Sequence, residues 1–202
     1  FSALWYLIFV LPLFLFTPDR PGTRAPAPVK AGITQLISGV KEVYRHHRQV
    51  ALFLIARMLY ADGLGAVFAF GGIYAASVFG WGASELGLFG IILSVTGMIG
   101  AVIGGFIDDR AGSKAVIMAS LLLLLVGAIG ILSVDKNHVL FALEVPPKPA
   151  GSGPLTSVGE LVFLGFAMLV GVVAAPVQAA SRALLARLAP PDQITQYFGL
   201  FA

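Results

Sequence analysis

The sequence contains no cysteine, which excludes disulfides, thiolate metal sites and cysteine nucleophiles. Charge is scarce too: Asp, Glu, Lys and Arg together make up 11 % of 202 residues. No stretch of about ten residues alternates strictly between apolar and polar, so a transmembrane barrel is excluded. The three histidines, His46, His47 and His138, fall on opposite sides of the membrane expected below and cannot share a metal. What is abundant is hydrophobic surface, at 58 % of residues with a mean hydropathy of +0.92. Several apolar runs approach the ~20 residues that cross a ~30 Å hydrocarbon core as a helix. The composition therefore specifies an all-α membrane protein, with the lipid bilayer as its first partner.

The runs place spans at about 1–16 (partial), 50–79, 86–107, 114–134 and 160–185, with a last one starting near 194. The long second span is expected to tilt, or to break near Gly71 and Gly72. Both ends read as cut: the chain opens on FSALWYLIFV without a basic leader and closes on an apolar segment barely begun. The expected organisation is a partial span (1–16), a linker (17–49) and an incomplete bundle (50–202).

Basic residues are distributed one-sidedly. Ten of the thirteen lie in 17–49, in 108–114 or at Arg182 and Arg187, all on one side of these spans. Lys136 and Lys148 lie on the other side, and Arg57 lies inside a span. The bias assigns the first group to the cytoplasm. It accounts for the pI of 9.4 without a nucleic-acid partner. Within the linker, Ile33, Leu36, Ile37, Val40 and Tyr44 recur at helical spacing beside Lys41, Arg45 and Arg48, the pattern of an interfacial amphipathic helix. The segment 135–158, with VPPKPAGSGP, reads as an irregular external connection.

The third span carries small residues at Gly87, Gly90, Ser94, Gly97, Ala101 and Gly104, spaced 3, 4, 3, 4 and 3 apart. That spacing puts them on one face and predicts a close helix approach. Next to it stands GGFIDDRAGSK, a charge cluster between two uncharged runs. A Mg²⁺ site on Asp108 and Asp109 would require further carboxylates at helical spacing, yet Gly112 follows four residues on and the next acid is Asp135. Gly63 and Gly65 start a nucleotide-like G-x-G, but Phe68 and a membrane helix follow. No catalytic set, metal site or cofactor emerges, so the chain does not read as an enzyme.

The remaining pattern, Gly105, Asp109, Arg110, Gly112 and Lys114, resembles the cytoplasmic signature of the major facilitator superfamily. The stretches FLIARMLYADGLGAVFAFGGIYA (53–75) and PVQAASRALLARLAP (176–190) are similar to its branch of autophagy-linked vacuolar amino-acid effluxers and their bacterial relatives. The resemblance implies the second half of a twelve-helix bundle, truncated at both ends, from the sixth helix to the start of the eleventh. It implies alternating-access transport of a small solute, amino acids and efflux among the options, with the missing first half as an intramolecular partner. A bacterial cytoplasmic membrane is the expected location. The pattern usually has a basic residue where Ser113 stands, so one charge of the gate is missing here. A non-transporting scaffold or sensor on the same fold is the alternative.

Ionisable groups inside spans are costly and mark candidate sites. Asp62 lies ~18 Å along its helix from the cytoplasmic end, with Gly65, Ala66 and Ala69 on its face. Arg57 lies shallower and some 140° around the helix, which precludes a direct pair. Pro176 is expected to kink the fifth span, with Gln178, Ser181 and Arg182 beyond it on one face. Asp62, Arg57, Gln178, Ser181 and Arg182 are the candidate solute or ion pathway. Glu85 and Glu160, near external ends, are expected to be solvated.

Overall fold

The computed structural model describes residues 2–16, 45, 48–146, 148, 153, 155–190 and 194–201. It comprises two units, Phe1–Glu42 and Val43–Ala202. In the first, α1 (Ser2–Phe16) is an apolar helix with Pro12 inside it. The Trp5 and Phe9 rings lie one turn apart, 4.8 Å between centroids. The amphipathic helix expected near residues 33–44 lies outside the described residues.

The second unit is a helical bundle: α2 (Arg48–Phe79), α3 (Ala83–Ala111), α4 (Ser113–Leu132), α5 (Val158–Leu188) and α6 (Ile194–Phe201). The first four are long and apolar enough to cross a membrane. Helices satisfy every backbone group internally, the condition for residence in hydrocarbon. The same condition keeps α2 continuous through Gly71 and Gly72, correcting the expected break. Two glycines cost a helix interior ~1 kcal/mol each, less than exposing unpaired backbone to lipid.

Helix α5 is the axis of this unit. Against α3 it runs parallel, Gly97 meeting Gly171 and Gly104 meeting Pro176. Against α4 it runs antiparallel, with Gly127 on Val170 and Gly130 on Phe166. Antiparallel to α2, it brings Ser181 to Tyr60 and Phe163 to Phe79. The N-terminal end of α2 (Val50, Ala51) packs with Leu185 at the end of α5, Ala189 just beyond it and Tyr197 of α6.

The α3–α5 contact shows how sequence sets the close approach. Pro176 has no N–H, so the Val172 carbonyl one turn earlier has no intrahelical donor. That carbonyl faces Gly100, where a Cβ would lie 1.8 Å from the oxygen, and the Pro176 ring fills the space a Cβ on Gly104 would need. Gly100 and Gly104 form a G-x-x-x-G pair on a buried seam with Phe89 and Thr96. The predicted stripe divides within this bundle. Gly97 and Gly104 touch α5, but Gly87 and Gly90 have open space where a Cβ would sit, and Ser94 and Ala101 are exposed.

In the connection between α4 and α5, expected to be irregular, the described residues include a short hairpin. Strands β1 (His138–Val139) and β2 (Leu143–Glu144) pair antiparallel around Leu140 and Phe141, both at positive φ. The Asp135 carboxylate accepts the Asn137 and His138 backbone N–H groups, each at 2.7 Å, and these bonds hold its pKa below the ordinary value. Tyr74 Oη donates to the Val134 carbonyl at 2.7 Å, tying α2 to the end of α4.

Glu160 is the largest correction at this end. It is fully buried rather than solvated. Its Oε1 accepts Trp81 Nε1 at 2.9 Å and Lys148 Nζ at 2.7 Å. Its Oε2 accepts the Thr156 and Ser157 backbone N–H groups at 3.0 and 3.1 Å. As N3 of α5 it completes a capping box with Ser157. Trp81, Phe79, Phe89 and Phe163 pack around the site in tilted and edge-on pairs.

Candidate functional site

Two recesses in the bundle share a wall. The smaller, about 180 Å³, is lined by Arg57, Ala61, Leu64, Gly65, Phe68 and Gln178. The larger, about 820 Å³, lies between α2, α3 and α5 and shares Phe68 and Gln178 with it. Its other walls include Ala69, Gly72, Leu86, Leu93 and Gly97, and Ser94 is a rare polar contributor. The larger volume lies within the ~300–1,000 Å³ typical of small-molecule sites.

The polar corner is at Arg57. Its guanidinium carbon stands 5.0 Å from the Tyr60 ring centroid and 4.7 Å from that of Phe201 on α6, distances of cation–π contact. Its Nε is buried with no hydrogen-bond partner among the described residues. The Tyr60 hydroxyl is engaged elsewhere: Ser181 Oγ donates to the Val177 carbonyl at 2.6 Å and accepts a short hydrogen bond from Tyr60. Gln178 Nε2 donates to the Ala174 carbonyl at 3.3 Å, leaving its second N–H and its carbonyl for other use.

The five pathway candidates do not converge on one cavity. Arg57 and Gln178, 121 residues apart in sequence, meet across the smaller recess. Ser181 is buried and spends its hydroxyl locking α5 to α2. Arg182 is exposed, so the single face expected for Gln178, Ser181 and Arg182 splits three ways. Asp62 is exposed and lines neither recess. Its supposed face divides as well: Gly65 borders the smaller recess, Ala69 the larger, and Ala66 a separate apolar groove between α2 and α4. Tyr60 was missed in the sequence, because a span tyrosine at helical spacing looks like ordinary core. Its position one turn from Arg57 was the available signal.

The signature turns out to be mostly helix. α3 continues through Asp108, Asp109 and Arg110 to Ala111, and α4 starts at Ser113, so the turn is Gly112 alone. Gly112 has φ +82 and ψ 153, a region nearly confined to glycine, and its N–H caps α3 on the Asp108 carbonyl at 2.9 Å. Gly105, Asp109, Arg110 and Lys114 are exposed. Asp108 Oδ1 and Ser113 Oγ are buried without a partner among the described residues.

A comparison with protein families matches "Vacuole effluxer Atg22 like" over residues 1–202. The chain belongs to this effluxer family. Similar proteins include autophagy-related protein 22-1 of Neosartorya fischeri, 26 % identical over 217 residues, covering 99 % of this chain and 33 % of the relative. Autophagy-related protein 22-1 of Sclerotinia sclerotiorum is 28 % identical over 221 residues, covering 100 % and 35 %. Autophagy-related protein 22 of Coccidioides immitis is 25 % identical over 217 residues, covering 99 % and 34 %. The chain thus spans about a third of the length of the curated relatives it matches. No solved structure matches it significantly. The recesses beside Arg57 thus lie in a multi-pass membrane protein of this family.

Proposed function

We propose that the chain is part of a secondary transporter that carries a small solute across a membrane by alternating access, efflux being the direction its family's description favours. The observation that supports this most directly is the recess of about 180 Å³. It joins a charged side chain and a carboxamide from two different spans, a combination a purely structural bundle has no need to leave open. Residues 50–202 would be the larger part of a second six-helix half, and residues 1–16 the end of the first. The remainder of the full-length protein would cover the exposed face bearing Asp62. Amino acids are the solute class that the sequence resemblance implies. The relatives are fungal, which gives the bacterial cytoplasmic membrane expected from sequence no support.

Asp109 and Arg110 end α3 facing outward, and we assign them a gating contact with the other half of the full-length protein in one state of the cycle. The overall reading is tested by solute counterflow with the full-length protein in proteoliposomes. Saturable exchange of labelled amino acids above protein-free vesicles is expected. Its absence across an amino-acid and organic-acid panel would reject transport in favour of a scaffold.

A further inference from the structure

Arg57 is a cation inside a helix long and apolar enough to cross a membrane, and it has no anionic partner among the described residues. The ion pairs among the described residues are His138 with Asp135 and Lys148 with Glu160, both at the external end. The two aromatic rings beside the guanidinium stabilise its faces but accept none of its in-plane N–H bonds. Asp62, the acid nearest in sequence on α2, lies on another face of the helix, outside the recess. An unpaired guanidinium in a low-dielectric site is expensive, and supplying an anion relieves that cost.

The lining decides what kind of anion fits. One cation and one carboxamide provide polar contacts, while Ala61, Leu64, Gly65 and Phe68 form apolar walls. A doubly charged phosphate would bring two charges to a single guanidinium, with the second left against hydrocarbon. A carboxylate matches the guanidinium fork one to one. Beyond Phe68 and Gln178 the larger recess continues with glycine, alanine, leucine and phenylalanine, which suits an alkyl tail.

Resting on the transport reading above, we propose that the recess at Arg57 binds the carboxylate of a small solute that carries one such group, and that the adjoining apolar recess takes its hydrocarbon tail. Arg57 supplies the charge, Gln178 a second donor, and Tyr60, locked to Ser181, holds the guanidinium in place. Solutes with the same tail but an uncharged head group bind more weakly, because they forgo the charge-assisted bond to Arg57.

The test is direct binding to the purified full-length protein in nanodiscs. The probes are 4-methylpentanoate, its uncharged amide 4-methylpentanamide, and inorganic phosphate. Binding of the carboxylate is expected, with the amide weaker by roughly tenfold to a hundredfold, the scale of charge-assisted hydrogen bonds. Arg57→Gln should lose a similar factor and Arg57→Lys a smaller one. Equal binding of acid and amide by the wild-type protein would overturn the proposal, as would unchanged affinity in Arg57→Gln. Displacement of 4-methylpentanoate by phosphate at comparable concentration would also overturn it, because the site would then be a general anion site. The wild-type comparison is independent of whether either variant folds. Failure here with counterflow intact rejects the carboxylate site alone. Failure of counterflow with selective binding intact rejects transport and leaves the site.

Discussion

At the residue scale, two acids show how little span position says about environment. Asp62 sits in the middle of α2 and is exposed, whereas Glu160 sits at a helix start and is fully buried. The difference lies in donors. Glu160 collects four hydrogen bonds, two of them from the backbone of its own N-terminus, where the helix field also favours an anion. Its cap role was legible in the sequence as Ser157 three residues before Glu160. The Trp81 bond was not, because it spans 79 positions. Glu160→Ala should leave Trp81 Nε1 and two backbone N–H groups unpaired, at about 1–3 kcal/mol for each group that water cannot reach. The expected outcome is a clear fall in the unfolding temperature of the full-length protein in detergent. Lys148→Met should cost less, since that side chain is one-third exposed at 33 % and its charge is partly solvated. Equal losses in the two variants would show that the ion pair, not the donor set, holds the corner.

At the element scale, the α3–α5 seam is set by matched defects: a carbonyl freed by Pro176, and glycines placed to receive it and the proline ring. Gly100→Ala would put a Cβ 1.8 Å from the Val172 oxygen, so the helices must separate. Overpacking of this kind costs about 1–3 kcal/mol. Gly90→Ala, with open space at its Cβ, should be neutral or slightly stabilising through helix propensity. Measuring both by thermal unfolding distinguishes the observed seam from the predicted stripe; matching losses at Gly90 and Gly100 would restore the stripe. Gly112 makes a separate point. Any side chain there meets the strained φ, and Gly112→Ala should destabilise the α3–α4 turn by roughly 1–3 kcal/mol. The sequence showed a stripe of small residues but could not choose its seam. Gly97, Gly100, Ala101 and Gly104 all fit helical spacing, and only the position of Pro176 on the partner decides among them.

At the scale of the whole molecule, the described bundle presents one side with Asp62 and another end with Asp109, Arg110 and Lys114 exposed. If these are contact points for the rest of a transporter, they should affect the cycle differently. Asp109→Ala in the full-length protein is expected to change the rate of counterflow while leaving solute affinity within roughly twofold, because Asp109 lies far along α3 from the recess. A lost affinity in a folded protein would place Asp109 in the binding site instead. Asp62→Asn should slow uphill transport if that acid couples an ion, and unchanged uphill transport would remove it from that role.

Hydropathy and the lysine–arginine bias determined, without any coordinates, that this is a helical membrane protein. Hydropathy also placed the helix boundaries within a few residues and the turn between α3 and α4 within 108–114. Those properties depend on local chain energetics: hydrocarbon solvation, backbone satisfaction and the glycine-only dihedral. The tertiary structure decided that Arg57 and Gln178 share a cavity, that Ser181 is hydrogen-bonded to Tyr60, and that Glu160 is buried. Each of these depends on which faces of α2, α3 and α5 meet. In a chain that is hydrophobic on nearly every face, periodicity carries too little contrast to say which side of a helix turns inward.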